Sequence, residues 1–372
     1  MQASKIFALF FLALLCAAPA RAADPIRVAV IASKTGDAST SNQVLFQAAR
    51  YAVDEINEKG GLLGRPVEIL EFDNQSTAIG SKLAAEAAVA AGVDAVIGAS
   101  WSAHSLAMAR VLEEAKIPMI TPISTSPEVT GDRKYVFRVC YTDAYQGKVM
   151  ARFAHDDLKA KTAVVLCNVD RLYSVGLADV FSASFEALGG KVLWRGEYLL
   201  DVSDFSGLLE TVKTYAPDVI YLPGDYRDSS FLIGQARKMG IDTQFLGGDS
   251  FGMRLYDYIG SLAEGAYYAT HWSRDSPAPQ SLEFVKNYEA KFGEIKQTTI
   301  PTTYDAVMLL ADAVRRAGTA EKGKVRDALA ATRNFMGVTG AIAYAGTGDP
   351  EKPAIINRLE NGGIRFIREA SP

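Results

Sequence analysis

The chain repeats one pattern of apolar and polar positions: a short apolar run, a polar turn, and then apolar residues at helical spacing. The first apolar run is Ile26–Ala32, and residues 43–59 follow with apolar side chains three and four positions apart, the period of a helix with one buried face. Gly60 and Gly61 come directly after it, where glycines commonly end a helix. Near-continuous apolar strands between helices predict an α/β fold whose parallel sheet is covered on both faces.

The same alternation runs along the chain twice and then changes. The first run continues with strands at 66–72, 93–98 and 118–121 and helices at 76–91 and 102–114. The second run has helices at 144–158, 174–188, 205–215 and 229–239 and strands at 162–167, 191–198, 218–222 and 244–247. The end has helices at 280–292, 303–317 and 322–331, then a hairpin over 354–367 turning at Asn361-Gly362. The sequence therefore predicts two α/β lobes of similar size.

The N-terminus has the pattern of a secretory signal peptide over residues 1–22. Lys5 supplies a positive charge, residues 6–18 are apolar, and small residues at Ala20 and Ala22 predict cleavage before Ala23. The apolar run is shorter than the roughly 20 residues needed to span a bilayer. We therefore expect an exported, periplasmic protein.

Composition excludes several classes of partner and cofactor. The formal net charge is −4 over 372 residues, and no basic cluster predicts binding to nucleic acid or to a membrane surface. The turn after the first strand lacks the glycines of a dinucleotide site. The three histidines show no metal-ligand spacing, so we expect no cofactor and no metal. Cys140 and Cys167 remain after signal removal, and the sequence leaves open whether they pair.

Polar residues follow two strands of the first run. Ser102 comes after the strand ending at Gly98, and Ile123, Ser124 and Thr125 come after the strand ending at 121. Ligands of open α/β sheets bind beyond the carboxyl ends of strands, and hydroxyl and N–H donors at a helix start suit a carboxylate. The alternative is that Ser102 only caps its helix and that the other residues form an ordinary turn.

In the second run, Tyr173, Asp225 and Asp249 follow three strand ends. A carboxylate at such a position can accept hydrogen bonds from an ammonium group, although either aspartate could instead cap a helix or face solvent. Hydroxyl donors on one lobe, opposite carboxylates and a phenol on the other, predict a site for a zwitterion such as an amino acid.

One motif favours an enzyme instead. Residues 248–252 match the G-x-S-x-G pattern of a nucleophile elbow around Ser250. The downstream histidine, His271, lies in a predicted strand, and a catalytic triad requires a geometry that the sequence does not reveal. We expect no catalytic residues and keep a serine esterase as the alternative.

A series of short motifs gives the chain a family resemblance. They are Asp54-Glu55-Ile56-Asn57, Lys59-Gly60-Gly61, Val96-Ile97-Gly98, Ile120-Thr121-Pro122, Phe137-Arg138, Asp143 with Gln146-Gly147, Tyr173 with Gly176, Asp204-Phe205, Gln235-Ala236-Arg237 and Tyr304-Asp305-Ala306. Each motif is weak alone, but together they cover nearly the whole mature chain in order. The chain thereby resembles the Leu/Ile/Val-binding protein family, the type I periplasmic solute-binding proteins of ABC transporters.

The resemblance implies two doubly wound parallel-sheet lobes joined by a three-segment hinge. Lobe one would comprise residues 23–142 and 273–348, and lobe two residues 143–272 and 349–372. It also implies a monomer that binds a small ligand, an amino acid or related compound, and delivers it to a membrane permease. A ligand-sensing module for a membrane receptor is the alternative.

The resemblance also implies roles for single residues. Ser102 and Thr125 would bind the ligand carboxylate with backbone help near Ile123, Tyr173 would close over the ligand, and Asp249 would take the α-ammonium.

The chain departs from the family pattern at three places. Ser41 stands where the family has an aromatic gate, Asp225 replaces an aromatic residue of lobe two, and Ser76 and Trp101 replace a cysteine pair of some relatives. A bare buried carboxylate beside methyl groups is unfavourable. We therefore expect a ligand other than a plain branched-chain amino acid, unless Asp225 faces solvent at the cleft mouth.

Overall fold

The computed structural model describes residues 24–372. The predicted signal peptide and its cleavage point before Ala23 lie outside the described residues. No helix in the described part of the chain is both long and apolar enough to cross a membrane. The fold is α/β, as predicted, and is built on two large sheets.

The first sheet has five parallel strands in the order β2-β1-β3-β4-β5. They are Ile26–Ala32 (β1), Val67–Asp73 (β2), Ala95–Gly98 (β3), Met119–Thr121 (β4) and Val136–Arg138 (β5). The helices around this sheet are Ser39–Glu58 (α1), Ala78–Ala90 (α2), Ser102–Glu114 (α3), Pro279–Phe292 (α9), Thr299–Ala317 (α10) and Lys322–Ala330 (α11). We call this unit lobe one. Alternate residues of β1 pack on α1 and α10 or on α2 and α3, which explains its unbroken apolar sequence.

The second sheet has seven strands in the order β14-β13-β10-β9-β8-β6-β7. They are Thr162–Asn168 (β6), Lys191–Tyr198 (β7), Val219–Leu222 (β8), Gln244–Gly247 (β9), Tyr267–Thr270 (β10), Ala354–Glu360 (β13) and Gly363–Ala370 (β14). Its helices are Asp143–Arg152 (α4), Leu172–Ala187 (α5), Ser206–Tyr215 (α6), Tyr226–Lys238 (α7) and Met253–Ile259 (α8). We call this unit lobe two. Helices α4 and α5 cover one face of the sheet, and α6, α7 and α8 cover the other.

The chain passes between the lobes three times. It leaves the first sheet after Arg138, returns after Thr270 to form α9, α10 and α11 against lobe one, and crosses again between a small hairpin and β13. The hairpin consists of Phe335–Gly337 (β11) and Gly340–Ile342 (β12). Three chain segments therefore join the two lobes, which is the predicted doubly wound, two-lobed architecture.

The predicted elements agree with the structure, with differences at their ends. Helix α3 has the predicted bounds, and the β13–β14 hairpin turns at Asn361 and Gly362. The helix predicted over 144–158 is α-helical only to Arg152 and continues as a π-helical turn, Phe153–Asp157. Helix α7 begins at Tyr226, three residues earlier than predicted, and so brings Asp225 to its N-cap position.

Both cysteines of the described chain, Cys140 and Cys167, are buried free thiols. Their pairing, which the sequence left open, does not occur in this structure.

Candidate ligand-binding site

A cavity of about 400 Å³ lies between the two lobes, within the usual size range of small-molecule sites. The turns after β3 and β4 line it from lobe one, and the turns after β6, β8 and β9 line it from lobe two. Carboxyl ends of parallel strands lie at one edge of a sheet, so the fold turns five separate segments toward one space. Six of the seven residues singled out from the sequence line this cavity: Ser102, Ile123, Thr125, Tyr173, Asp225 and Asp249.

The seventh, Ser124, lies outside the cavity lining. Its side chain is buried in lobe one, with its hydroxyl 2.7 Å from the Ser105 hydroxyl and donating to the Ala99 carbonyl at 3.2 Å. Consecutive residues of an extended turn point in opposite directions, so Ile123 and Thr125 face the cavity while Ser124 anchors the turn from behind.

A buried arginine at the end of β5 holds that turn in place. The Arg138 guanidinium, fully buried, donates to the carbonyls of Ser124 at 2.5 Å and Ser126 at 2.9 Å. Its Nε lies 2.7 Å from a carboxylate oxygen of Asp349, on the third crossing between the lobes. Sequence analysis named Arg138 only as part of a motif. Its position inside an apolar strand was the available signal, because a buried charge requires partners.

Ser102 and Thr125 form a donor-rich corner of lobe one. Ser102 is the first residue of α3, after the N-cap Trp101, and its hydroxyl accepts from the Ser126 N–H at 3.1 Å. It therefore links α3 to the neighbouring turn and does not cap its own helix. The hydroxyl proton stays available to donate, and the helix N-terminus adds positive potential. This corner suits a carboxylate.

Asp249 follows β9 and carries the most completely hydrogen-bonded carboxylate of the cavity. One oxygen accepts from the Tyr173 hydroxyl at 2.8 Å and from the Gln146 amide at 2.9 Å. The other lies 3.1 Å from Nε2 of His271. The Asp249 N–H donates to Gln146 Oε1 at 3.0 Å, so backbone and side chain are both fixed. The sequence missed the roles of Gln146 and His271, which lie on other elements.

Burial keeps these donors uncharged. It raises the pKa of Tyr173 well above its ordinary value, and the charge of Asp249 raises it further, so the phenol stays protonated. Burial lowers the pKa of His271, although Asp249 acts in the opposite direction. A neutral imidazole protonated at Nε2 can donate to Asp249. Three neutral donors therefore orient the carboxylate without cancelling its charge.

Asp225 has a cationic partner that the sequence did not predict. Its carboxylate lies 3.3 Å from Nε of Arg171, the N-cap residue of α5. The Arg171 guanidinium in turn lies over the Trp101 ring of lobe one, 4.3 Å from the ring centre. Burial raises the pKa of Asp225 to about 6, and Arg171 opposes that rise. The sequence position of Arg171 could have predicted this partner, because Arg171 stands two residues before Tyr173 at the same strand end.

The geometry does not assemble a serine nucleophile. The Ser250 hydroxyl donates to the Gly224 carbonyl at 2.6 Å, and the His271 imidazole is paired with Asp249. A nucleophilic serine needs a base within hydrogen-bond reach, and His271 does not supply one. Over residues 24–372, no group of three histidine, cysteine or acidic side chains is placed to hold a metal ion.

Two α/β lobes around one polar cavity, joined by three chain segments, define a solute-binding protein. The sequence profile of the periplasmic binding protein family matches residues 25–363, and the chain belongs to that family. Membership implies a periplasmic location, and the family members are binding proteins.

Several relatives give the comparison its detail. The chain is 30% identical to the Leu/Ile/Val-binding protein BraC3 of Rhizobium johnstonii, over 89% of this chain and 90% of the relative. The leucine-binding protein LivK of Thermotoga maritima has 36% identity and a TM-score of 0.88, over 93% of this chain and 99% of that one. LivJ of Streptococcus pneumoniae, solved with isoleucine, has 27% identity and a TM-score of 0.88, over 94% and 100% of the two chains. The predicted resemblance and fold are confirmed.

Proposed function

We propose that this solute-binding protein captures an amino acid as its zwitterion in the interlobe cavity and delivers it to the permease of an ABC importer. The observation that carries the proposal is the placement of Asp249 in the same cavity as Ser102 and Thr125. The names of BraC3, LivK and LivJ, all branched-chain amino acid-binding relatives, support a ligand of this class.

The two ends of a zwitterion match the two sides of the cavity. The α-carboxylate would accept from the hydroxyls of Ser102 and Thr125 and from backbone N–H groups near Ile123. The α-ammonium would donate to Asp249, whose neutral partners leave its charge uncompensated. Tyr173 donates to the same carboxylate and would pack over the bound ligand. Since the two contact sets sit on different lobes, ligand binding would draw the lobes together.

The three crossings between the lobes are the proposed hinge, with boundaries near 142/143, 272/273 and 348/349. A ligand that contacts both lobes binds the closed state more tightly than the open state, and it thereby shifts the protein toward the closed state. Small-angle scattering of the protein with and without its ligand should show compaction at saturation. An unchanged radius of gyration would contradict the hinge.

The ligand itself is accessible by mass spectrometry of the small molecules released when the purified protein is denatured. We expect one zwitterionic amino acid or close analogue, bound stoichiometrically and recovered chemically unaltered. Intact mass and gel filtration of the exported protein should give a monomer that begins at Ala23. Recovery of a hydrolysis product, or steady turnover of an ester, would favour the esterase interpretation.

A further inference from the structure

We infer that Arg171 and Asp225 form a side-chain subsite that selects an amino acid with a neutral side group carrying both a hydrogen-bond donor and an acceptor, of which a carboxamide is the simplest. The inference rests on the proposed function, because the α-carboxylate and α-ammonium must first be held at Ser102, Thr125 and Asp249. It concerns the protein groups that contact the side chain of the bound amino acid.

The ion pair is formed but not saturated with hydrogen bonds. Nε of Arg171 is buried without a hydrogen-bond partner, although a carboxylate oxygen of Asp225 lies 3.3 Å away. Asp225 occupies the N-cap position of α7, yet its side chain makes no capping hydrogen bond. A carboxylate offers about four acceptor positions and a guanidinium five N–H donors. Both residues line the cavity, so a ligand group can reach the donors and acceptors that they leave unpaired.

The charge of the subsite decides which group fits. Arg171 and Asp225 together are neutral, so a ligand group with a net charge meets one of them as a like charge. The charges of Asp249 and Asp228 also act on Asp225, which disfavours a ligand carboxylate beside it. An aliphatic side chain would fill neither the donors nor the acceptors. Sites built to hydrogen-bond a polar group discriminate strongly against analogues that lack it.

Small polar side chains line the same cavity from lobe one. Ser41 and Ser100 present small side chains there, and their hydroxyls donate to the Ala38 carbonyl and to Asn42 Oδ1, both at 2.9 Å. Trp101 covers the face of the Arg171 guanidinium, and a stacked guanidinium keeps its in-plane donors in a fixed orientation. In place of the family's aromatic gate, position 41 thus has a small side chain that lines the same cavity as the ion pair.

The test is isothermal titration calorimetry of the full-length mature protein with L-glutamine, L-asparagine, L-glutamate, L-lysine and L-leucine. Glutamine and glutamate have nearly the same shape, so their comparison isolates the charge of the side group. We expect glutamine or asparagine to bind at least tenfold more tightly than leucine, glutamate and lysine. Leucine binding as tightly as the better amide would overturn the inference, and this panel decides it without any variant.

A double variant ties the preference to the pair. Arg171→Met with Asp225→Leu should lower the glutamine-to-leucine affinity ratio at least tenfold. The matched control is Arg368→Met with Asp157→Leu, which removes a surface Arg–Asp pair with a 2.7 Å contact in the same lobe and should leave the ratio unchanged. An unchanged ratio in the Arg171/Asp225 variant, once circular dichroism shows that it is folded, would contradict the assignment.

Failure of the inference can be told apart from failure of the proposed function by adding Asp249→Asn. If amino acids bind and lose affinity in that variant, but leucine is preferred throughout, only the subsite is wrong. If no amino acid binds, or the Asp249 substitution leaves their affinity unchanged, the proposed function itself fails and the subsite fails with it.

Discussion

Replacing Asp249 by asparagine tests the contact on which ligand binding is proposed to depend. The wild-type carboxylate receives hydrogen bonds from Tyr173 and Gln146 and lies 3.1 Å from His271. Asparagine keeps the shape and one oxygen, which can still accept from Tyr173 or Gln146. The substitution therefore removes the negative charge while leaving most of the local packing in place, so a loss of affinity reports on the charge.

The expected magnitude follows from the burial of the site. A charge-assisted hydrogen bond contributes about 1.5–3 kcal/mol, so its loss weakens binding about 10- to 150-fold. The Asp249 side chain is only 6% exposed, so solvent screens the contact poorly. Removing one partner of a buried ion pair destabilises by about 3–5 kcal/mol when the other stays desolvated. The effect of Asp249→Asn should therefore lie at or above the upper end of the first range.

Calorimetry with the amino acid found by mass spectrometry measures the effect, at pH 7 and constant ionic strength. Ser250→Ala is the matched control, because Ser250 is the next residue along the turn and its hydroxyl is directed at the Gly224 carbonyl. The control should bind within about twofold of wild type. Affinity of Asp249→Asn within threefold of wild type, or a larger loss in Ser250→Ala than in Asp249→Asn, would refute the reasoning.

Three further predictions concern the support of the site. In Gly248→Ala, the new Cβ would overlap the Tyr173 hydroxyl, so ligand affinity should fall at least fivefold in calorimetry. Arg138→Met removes the donors to the buried Ser124 and Ser126 carbonyls as well as the cation beside Asp349, and it should lower the free energy of unfolding by about 3 kcal/mol in denaturant titrations. Burial raises the pKa of Asp143 to about 8, so the folded state binds this proton more tightly than the unfolded chain. The contribution of Asp143 to stability therefore falls as pH rises from about 4 to 8, and Asp143→Asn should raise the melting temperature more at pH 9 than at pH 5.

Each of these predictions has a control or a contradicting outcome. Gly207→Ala places its Cβ in open space and should leave affinity unchanged. Arg133→Met removes an arginine whose guanidinium contacts are to backbone carbonyls of its own turn, and it should destabilise by much less than Arg138→Met. A melting-temperature difference for Asp143→Asn that does not depend on pH would show that Asp143 is ionised in the folded protein.

The periodic segments and the strand ends could be predicted because both depend on local sequence. Apolar residues at helical spacing predicted α3 with its correct bounds. The unbroken apolar run of β1 predicted a buried strand, because helices cover both faces of its sheet. The rule that loops at the carboxyl ends of strands line the ligand cleft needs only the order of strands and helices. It predicted that Ser102, Thr125 and Asp249 lie at the cleft, and all three residues line the cavity.

The partners of those residues could not be predicted, because they come from distant parts of the chain. Gln146 reaches Asp249 across 103 residues of sequence, and Arg138 meets an acid on the third crossing. Ser124 was placed in the site because a cluster of hydroxyls does not show which one faces inward. The sequence predicted Asp225 in a loop, because it predicted too late a start for α7. In the structure, Asp225 is the N-cap residue of that helix and lies beside Arg171.

Asp249 and Asp225, two of the acids that line the cavity, differ in the kind of partner that surrounds them, and this difference supports the proposed orientation of the ligand. Asp249 is held by a phenol, an amide and an imidazole whose pKa burial lowers, so its charge is oriented but not neutralised. Asp225 faces a guanidinium that neutralises it. A cation gains most where a negative charge is desolvated and uncompensated. We therefore propose that the ligand ammonium binds at Asp249 and that a side group reaching Asp225 is polar and uncharged.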